Sequence, residues 1–229
     1  VEEGDLDDIA TCSLSNEQRL VLAKMNLRFL SQYIRLLHES DDDLYKELHS
    51  IWDKRQEELS EENEHLHRVH EFFAVLPKEM LMKLDQRNFP YPLIVTTNRD
   101  EMLENALTKT GQKFDIVFYS TESQGQFIHR TWEGKDSSIP YNSDYELPFG
   151  QRLIILKLFG TWNEKFVITE DHYLNYLVGC PIQQALPAKL INTVKSSRVL
   201  FLGYSLSDSD LKIALNRFWG DEPLKKPKG

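Results

Sequence analysis

Cysteine is nearly absent from this chain, which holds only Cys12 and Cys180. Two thiols build neither the disulfide framework of a small secreted domain nor a four-thiolate zinc site. A reducing, cytoplasmic setting is therefore expected. Long apolar runs are missing too. No stretch approaches the roughly 20 residues that cross a bilayer, so no membrane-spanning helix is expected. Val1–Ala10 is acidic and lacks the apolar stretch of a signal peptide. Positive charge is in deficit: 27 Lys plus Arg against 36 Asp plus Glu give a formal net charge of −9. Such a surface repels phosphate backbones. The best basic cluster, Leu224–Gly229, reads as a solvated linker, so direct nucleic-acid binding is not expected. Internal repeats, a phosphate loop, a nucleophile elbow and a zincin motif are all missing.

What the chain does have is enough apolar surface for a core. Of its 229 residues, 41% are hydrophobic and 11% aromatic, which suits one domain with a helical appendage. Its character changes near residue 90. Before that point the spacing of apolar residues is helical. It predicts a long amphipathic helix over Leu14–His38, a second from Asp41 to about Glu58, a third over His65–Leu76 and a fourth from Pro77 to about Leu84. Glu57–Glu64 reads as a solvated helix face or a linker.

After Pro90 short β-branched runs alternate with helical segments. Strands are expected at Leu93–Thr96, Phe114–Tyr119, Arg152–Leu158, Phe166–Thr169 and Arg198–Gly203. Helices are expected at Asp100–Thr110, Glu170–Leu177, Leu186–Lys195 and Ser207–Phe218. The irregular stretch Gly125–Gly150 has room for one short strand at Phe127–Thr131. Leu93–Thr96, Leu153–Leu158 and Val199–Leu202 look buried on both faces. Strands alternating with helices imply an α/β fold with a doubly wound, mostly parallel, Rossmann-like sheet and a helical subdomain. The expected division is 1–88 helical, 89–220 Rossmann-like and 221–229 linker.

In such sheets the ligand crevice lies beyond the carboxyl ends of the strands. Thr97-Asn98-Arg99-Asp100, Phe159-Gly160-Thr161 and Gly203-Tyr204-Ser205 follow the three buried runs. Small and polar residues there let a backbone approach a ligand closely. Each group also has a plainer role. Asn98 and Asp100 suit helix capping, and the glycines suit turns. His67, His70 and Glu71 share a helical face, but a solvated face explains them better than a metal site. Glu170-Asp171 reads as a helix start.

Four motifs in order make the chain resemble bacterial sirtuin-like domains. Leu93–Asp100 resembles the family's Thr-Thr-Asn-Tyr-Asp motif, and Lys157–Thr161 its Lys-Leu-His-Gly-Ser motif. Val167–Tyr173 is similar to its Thr-x-x-Asp-Tyr segment, and Leu200–Asp208 to its Gly-Tyr-Ser-Leu-x-Asp strand end. The resemblance implies nicotinamide adenine dinucleotide (NAD) as ligand or substrate. Many members hydrolyse it in antiphage defence, beside a companion domain or as a homo-oligomer. It implies that Asn98 lies at the nicotinamide ribose and places the attacking water, and that Asp100 orients that pocket. Thr97, Asn98, Gly160, Gly203, Tyr204 and Ser205 would contact NAD. The zinc module of protein-deacylating sirtuins is absent, so no zinc is expected.

The chain departs from the family in two places. Phe159 stands where active members carry a histidine, and phenyl cannot accept a proton. The Gly-Ala-Gly-x-Ser loop that opens the family is missing, so the first strand is expected to lie outside this sequence. Two functions follow: an NAD-hydrolysing effector domain of a larger defence protein, or a degenerate module for oligomerisation, regulation or ligand sensing.

Overall fold

The computed structural model describes residues 27–38, 40–62, 68–83, 91–123, 125–204 and 209–220. It divides into two compact units, Val1–Leu66 with Val167–Leu174, and His67–Phe166 with Asn175–Gly229.

The first unit is helical. Its α1 (Leu27–His38) and α2 (Asp41–Glu62) bury Leu30 and Ile34 from one helix, and Leu44 and Tyr45 from the other. Asp41, Asp42 and Asp43 fill the first turn of α2, where negative charge favours the helix dipole. The predicted solvated stretch after Glu57 is helical as far as Glu62. Arg35 pairs with Asp41 and with Asp171, the latter at 2.6 Å. Gln32 donates to the same Asp171 carboxylate at 2.8 Å. Asp171 thus serves as an ion-pair anchor at the start of α5 (Glu170–Val178).

The second unit holds the sheet. In chain order it contains α3 (Arg68–Lys83), β1 (Leu93–Thr96), α4 (Met102–Lys109), β2 (Phe114–Tyr119), β3 (Phe127–Arg130), β4 (Asp136–Ser138) and β5 (Leu153–Lys157). The end of α5 follows, then α6 (Ile182–Ala185), α7 (Ala188–Ser196) and α8 (Ser209–Trp219). The strand order is β1-β5-β2-β3-β4. β5 lies parallel between β1 and β2, with Leu93 opposite Ile154 and Phe114 opposite Leu153. β3 and β4 add an antiparallel edge. The fold is an open α/β sheet of the expected class, with a parallel centre.

Burial explains which strands were visible in the sequence. Leu153, Ile154, Ile155 and Leu156 of β5 are at most 1% exposed. Burying each such side chain stabilises by about 1.5–3 kcal/mol. Ala74 of α3 and Ala106 and Leu107 of α4 pack with Leu153 and Ile155 into one cluster. β1 is only half-buried, and among the described residues its one neighbour in the sheet is β5.

Several expectations need correction. Residues 68–83 form one helix, not two separated at Pro77; the burial of Ala74 against α4 and β5 favours a continuous element over local punctuation. Phe166–Thr169 is buried but forms no strand. Residues 198–203 form none either: Val199, Leu200, Phe201 and Leu202 are 47–78% exposed. An apolar β-branched run becomes a strand only beside a neighbour that completes its hydrogen bonds, and no described strand pairs with it. The segment Gly125–Gly150 carries two strands, β3 and β4, where one was expected.

Candidate functional site

β1 and β5 end side by side, with Thr96 opposite Lys157. The chain beyond each strand then turns over the carboxyl edge of the sheet. Leu158 N–H donates to Thr96 O at 3.0 Å, extending the pairing by one step. The Asn98 N–H donates back to Thr96 Oγ1 at 3.0 Å, which leaves the Asn98 side chain exposed at the crest.

Three segments that are distant in sequence meet here. The Tyr204 hydroxyl lies 3.3 Å from the Thr97 nitrogen, whose N–H it accepts, and 3.0 Å from Thr97 Oγ1. The Trp162 N–H donates to Arg99 O at 2.8 Å, joining the turn after β5 to the turn after β1. Arg99 lies over the Phe159 ring at 5.1 Å and pairs with Asp210, in the first turn of α8, at 3.5 Å. Thr97, Asn98, Gly160 and Tyr204 therefore gather at one sheet end. Gly203 is exposed beside them, without the strand expected to deliver it. Ser205 lies outside the described residues.

Two glycines differ in what they do. Gly160 has φ +96°, and a Cβ there would sit 2.7 Å from Phe166 Cβ and 2.9 Å from Phe166 Cα. Packing as well as backbone conformation requires glycine at this turn. Gly203 has φ +74° and nothing within 4 Å of such a Cβ.

Asp100 makes a local turn contact just before α4, whose N-cap position is Glu101. Its Oδ1 accepts the Met102 N–H at 3.1 Å at the start of α4. Phe159 is fully buried, with its ring edge-on to Tyr176 at 5.1 Å. Tyr176 is in turn edge-on to Tyr119 at 4.8 Å and lies under the Arg217 guanidinium at 4.3 Å. Burial pushes the Tyr176 hydroxyl far up, with Arg217 opposing the shift. Phe159 is thus part of an aromatic core. Thr161 Oγ1, in the same turn, is buried and meets no hydrogen-bond partner among the described residues.

His129 is not placed to substitute as a base. It is 5% exposed, and both ring nitrogens are engaged, by Asp115 Oδ2 at 2.9 Å and the Tyr145 hydroxyl at 3.0 Å. Asp115 stands opposite Ile154, three residues before Lys157 along the sheet, or about 10 Å from its carboxyl end. In the helical unit His172 is buried beside Asp41 at 3.6 Å, with its ring stacked on Tyr45. Of the predicted His67, His70 and Glu71 face, His67 lies outside the described residues. No metal-ligand cluster occurs among the described residues.

Sequence reasoning missed the role of Lys157 and Glu104. Lys157 is 1% exposed, and its ammonium lies 2.6 Å from Glu104 Oε1. Burial raises the Glu104 carboxyl's pKa and the Lys157 charge opposes the rise. The available signal was a lysine closing the otherwise apolar β5, and a glutamate among the buried residues of α4, the helix that follows the neighbouring β1.

An open α/β sheet with small and polar turns at adjoining parallel strand ends has its ligand crevice beyond those ends. Residues 92–227 match the SIR2-like domain family, and the chain belongs to it. It is similar to Defense-associated sirtuin 2 of Bacillus subtilis, at 27% identity over 128 residues. That alignment covers 54% of this chain and 10% of the relative, so the chain spans a small part of that protein's length. No solved structure matches. Among the described residues no helix is long and apolar enough to cross a membrane.

Proposed function

We propose that this domain binds NAD across the carboxyl ends of β1 and β5 and hydrolyses its nicotinamide–ribose bond, as the effector of a larger antiphage-defence protein. The observation that carries this reading is the meeting of Thr97–Asp100, Gly160–Thr161 and Tyr204 at one sheet end. Membership of the SIR2-like family supports NAD as the ligand, and the likeness to a defence-associated sirtuin supports the setting. That setting is cytoplasmic, with activation through a companion domain or a homo-oligomer.

In the reaction water attacks C1′ of the ribose and gives up a proton to solvent, the bond from C1′ to the nicotinamide nitrogen breaks with its electron pair staying on that nitrogen, and ADP-ribose and neutral nicotinamide leave. Positive charge builds on the ribose on the way. The protein's part is to hold the ribose and aim the water. The exposed Asn98 amide offers both a donor and an acceptor for that purpose. The Thr161 hydroxyl gives the second turn a polar group that no described residue uses, and a ligand hydroxyl or a water would satisfy it.

Phe159 favours a second reading, a silent module for oligomerisation, regulation or ligand sensing. A buried phenyl ring replaces the family's base, and losing a general base typically costs about 10²–10⁴-fold in rate. Both readings are tested by NAD cleavage in the full-length parent protein, with nicotinamide and ADP-ribose separated by chromatography. Asn98→Ala and Phe159→His are run beside the wild type, and thermal melts confirm that both fold. Hydrolysis by the wild type with a loss of about 10²-fold in Asn98→Ala supports the effector. An inert wild type, whether or not Phe159→His gains activity, supports the silent module.

A further inference from the structure

The turn that carries Asn98 makes no ladder hydrogen bonds of its own, yet its backbone is held from below. Lys157 is the last residue of β5. Its ammonium reaches Glu104 Oε1 at 2.6 Å, Asp100 O at 2.5 Å and Arg99 O at 3.3 Å. A lysine ammonium has three protons to donate, and here each finds an acceptor. The acceptors belong to two structures: the turn between β1 and α4 supplies two main-chain carbonyls, and the first turn of α4 supplies the carboxylate. A charge this deeply buried persists only when paired and fully hydrogen-bonded. The lysine therefore ties down the Asp100 carbonyl and shares the Arg99 carbonyl with the Trp162 N–H.

We propose that Lys157, backed by Glu104, is a positioning residue that fixes the backbone of the Asn98 turn, and so sets where the Asn98 amide stands relative to the ribose. The lysine does not touch the substrate. It acts through the turn. Its catalytic consequence rests on the function proposed above, whereas its effect on the turn does not.

The test replaces the pair with apolar residues, Lys157→Met with Glu104→Leu, in the full-length protein. Apolar replacement of both members of a buried ion pair is often neutral for stability, whereas removing one strands the other. The double variant should stay folded, with its melting temperature lowered only by the loss of the ammonium's bonds to the two main-chain carbonyls. Amide hydrogen exchange over residues 97–101 should quicken at least about tenfold, with β2 and β5 unchanged. NAD turnover should fall by the factor seen for Asn98→Ala, in kcat more than in KM. Adding Asn98→Ala to the double variant should then cost nothing more, because both changes remove one function. A folded double variant with unchanged exchange over 97–101 overturns the proposal. So does a full further loss on adding Asn98→Ala. If the wild type does not cleave NAD, the functional reading fails and the exchange measurement alone decides the strut. If the double variant does not fold, NMR of the wild type decides: slowly exchanging Lys157 ammonium protons support the strut, and rapid exchange overturns it.

Discussion

At Gly160 the demand on a single residue is easiest to quantify. A side chain there meets both a left-handed backbone and the Phe166 main chain, since its Cβ would lie 2.9 Å from Phe166 Cα. Gly160→Ala should cost about 2–4 kcal/mol of stability. Gly203→Ala meets only the backbone penalty, about 1–2 kcal/mol. Urea denaturation of the two variants against wild type checks the difference, and equal costs would contradict the packing described at Phe166. His172 makes a prediction of opposite kind. Burial lowers its pKa, and the nearby Asp41 only partly offsets this. Its folded value therefore lies below the unfolded one of about 6.5, so the unfolded chain takes up the proton first as pH falls. Stability of the helical unit should be level above about pH 6.5 and decline below it, down to the folded pKa. His172→Gln should flatten that decline, read as denaturation midpoints between pH 8 and pH 5.

Elements succeed or fail by their neighbours. The Asp115 carboxylate accepts from the Trp132 N–H at 3.0 Å and pairs with Arg152 at 3.3 Å and His129 at 2.9 Å. One side chain of β2 thus secures β3 and the turn that follows it. Asp115→Ala leaves three buried or half-buried partners without their acceptor and should cost about 3–5 kcal/mol. Faster exchange of the Trp132 amide should accompany the loss, and a wild-type rate there would contradict the role. No sequence pattern announced this arrangement, because it joins residues whose only common feature is polarity. The elements that were legible are those whose own residues bury. β2 and β5 are nearly continuous apolar runs. Gly111, with φ +69°, stands just past the Thr110 C-cap of α4, where glycine is the usual residue. β4, Asp136–Ser138, is fully exposed and offered no apolar signal.

At the scale of the whole molecule, the class of fold and the family were readable from four ordered motifs, and the gathering of turn residues at one sheet end was readable in part. Thr97, Asn98, Gly160 and Tyr204 meet at one sheet end, and their contact with NAD belongs to the proposal above. Asp100 accepts the first N–H of α4, and the strand expected before Gly203 is not formed. The difference is physical. Motifs report the residues a turn needs, but pairing between strands depends on partners that a local pattern cannot name. The segment Val199–Leu202 has a practical consequence for anyone preparing the protein. Endoproteases bind their substrates as extended chain, and chymotrypsin cleaves after large apolar residues. Phe201 offers such a site at 47% exposure outside any helix or strand, whereas Phe159 and Phe166 are fully buried. Limited digestion followed by mass spectrometry should find an early cut after Leu200, Phe201 or Leu202, which would separate α8 from the sheet.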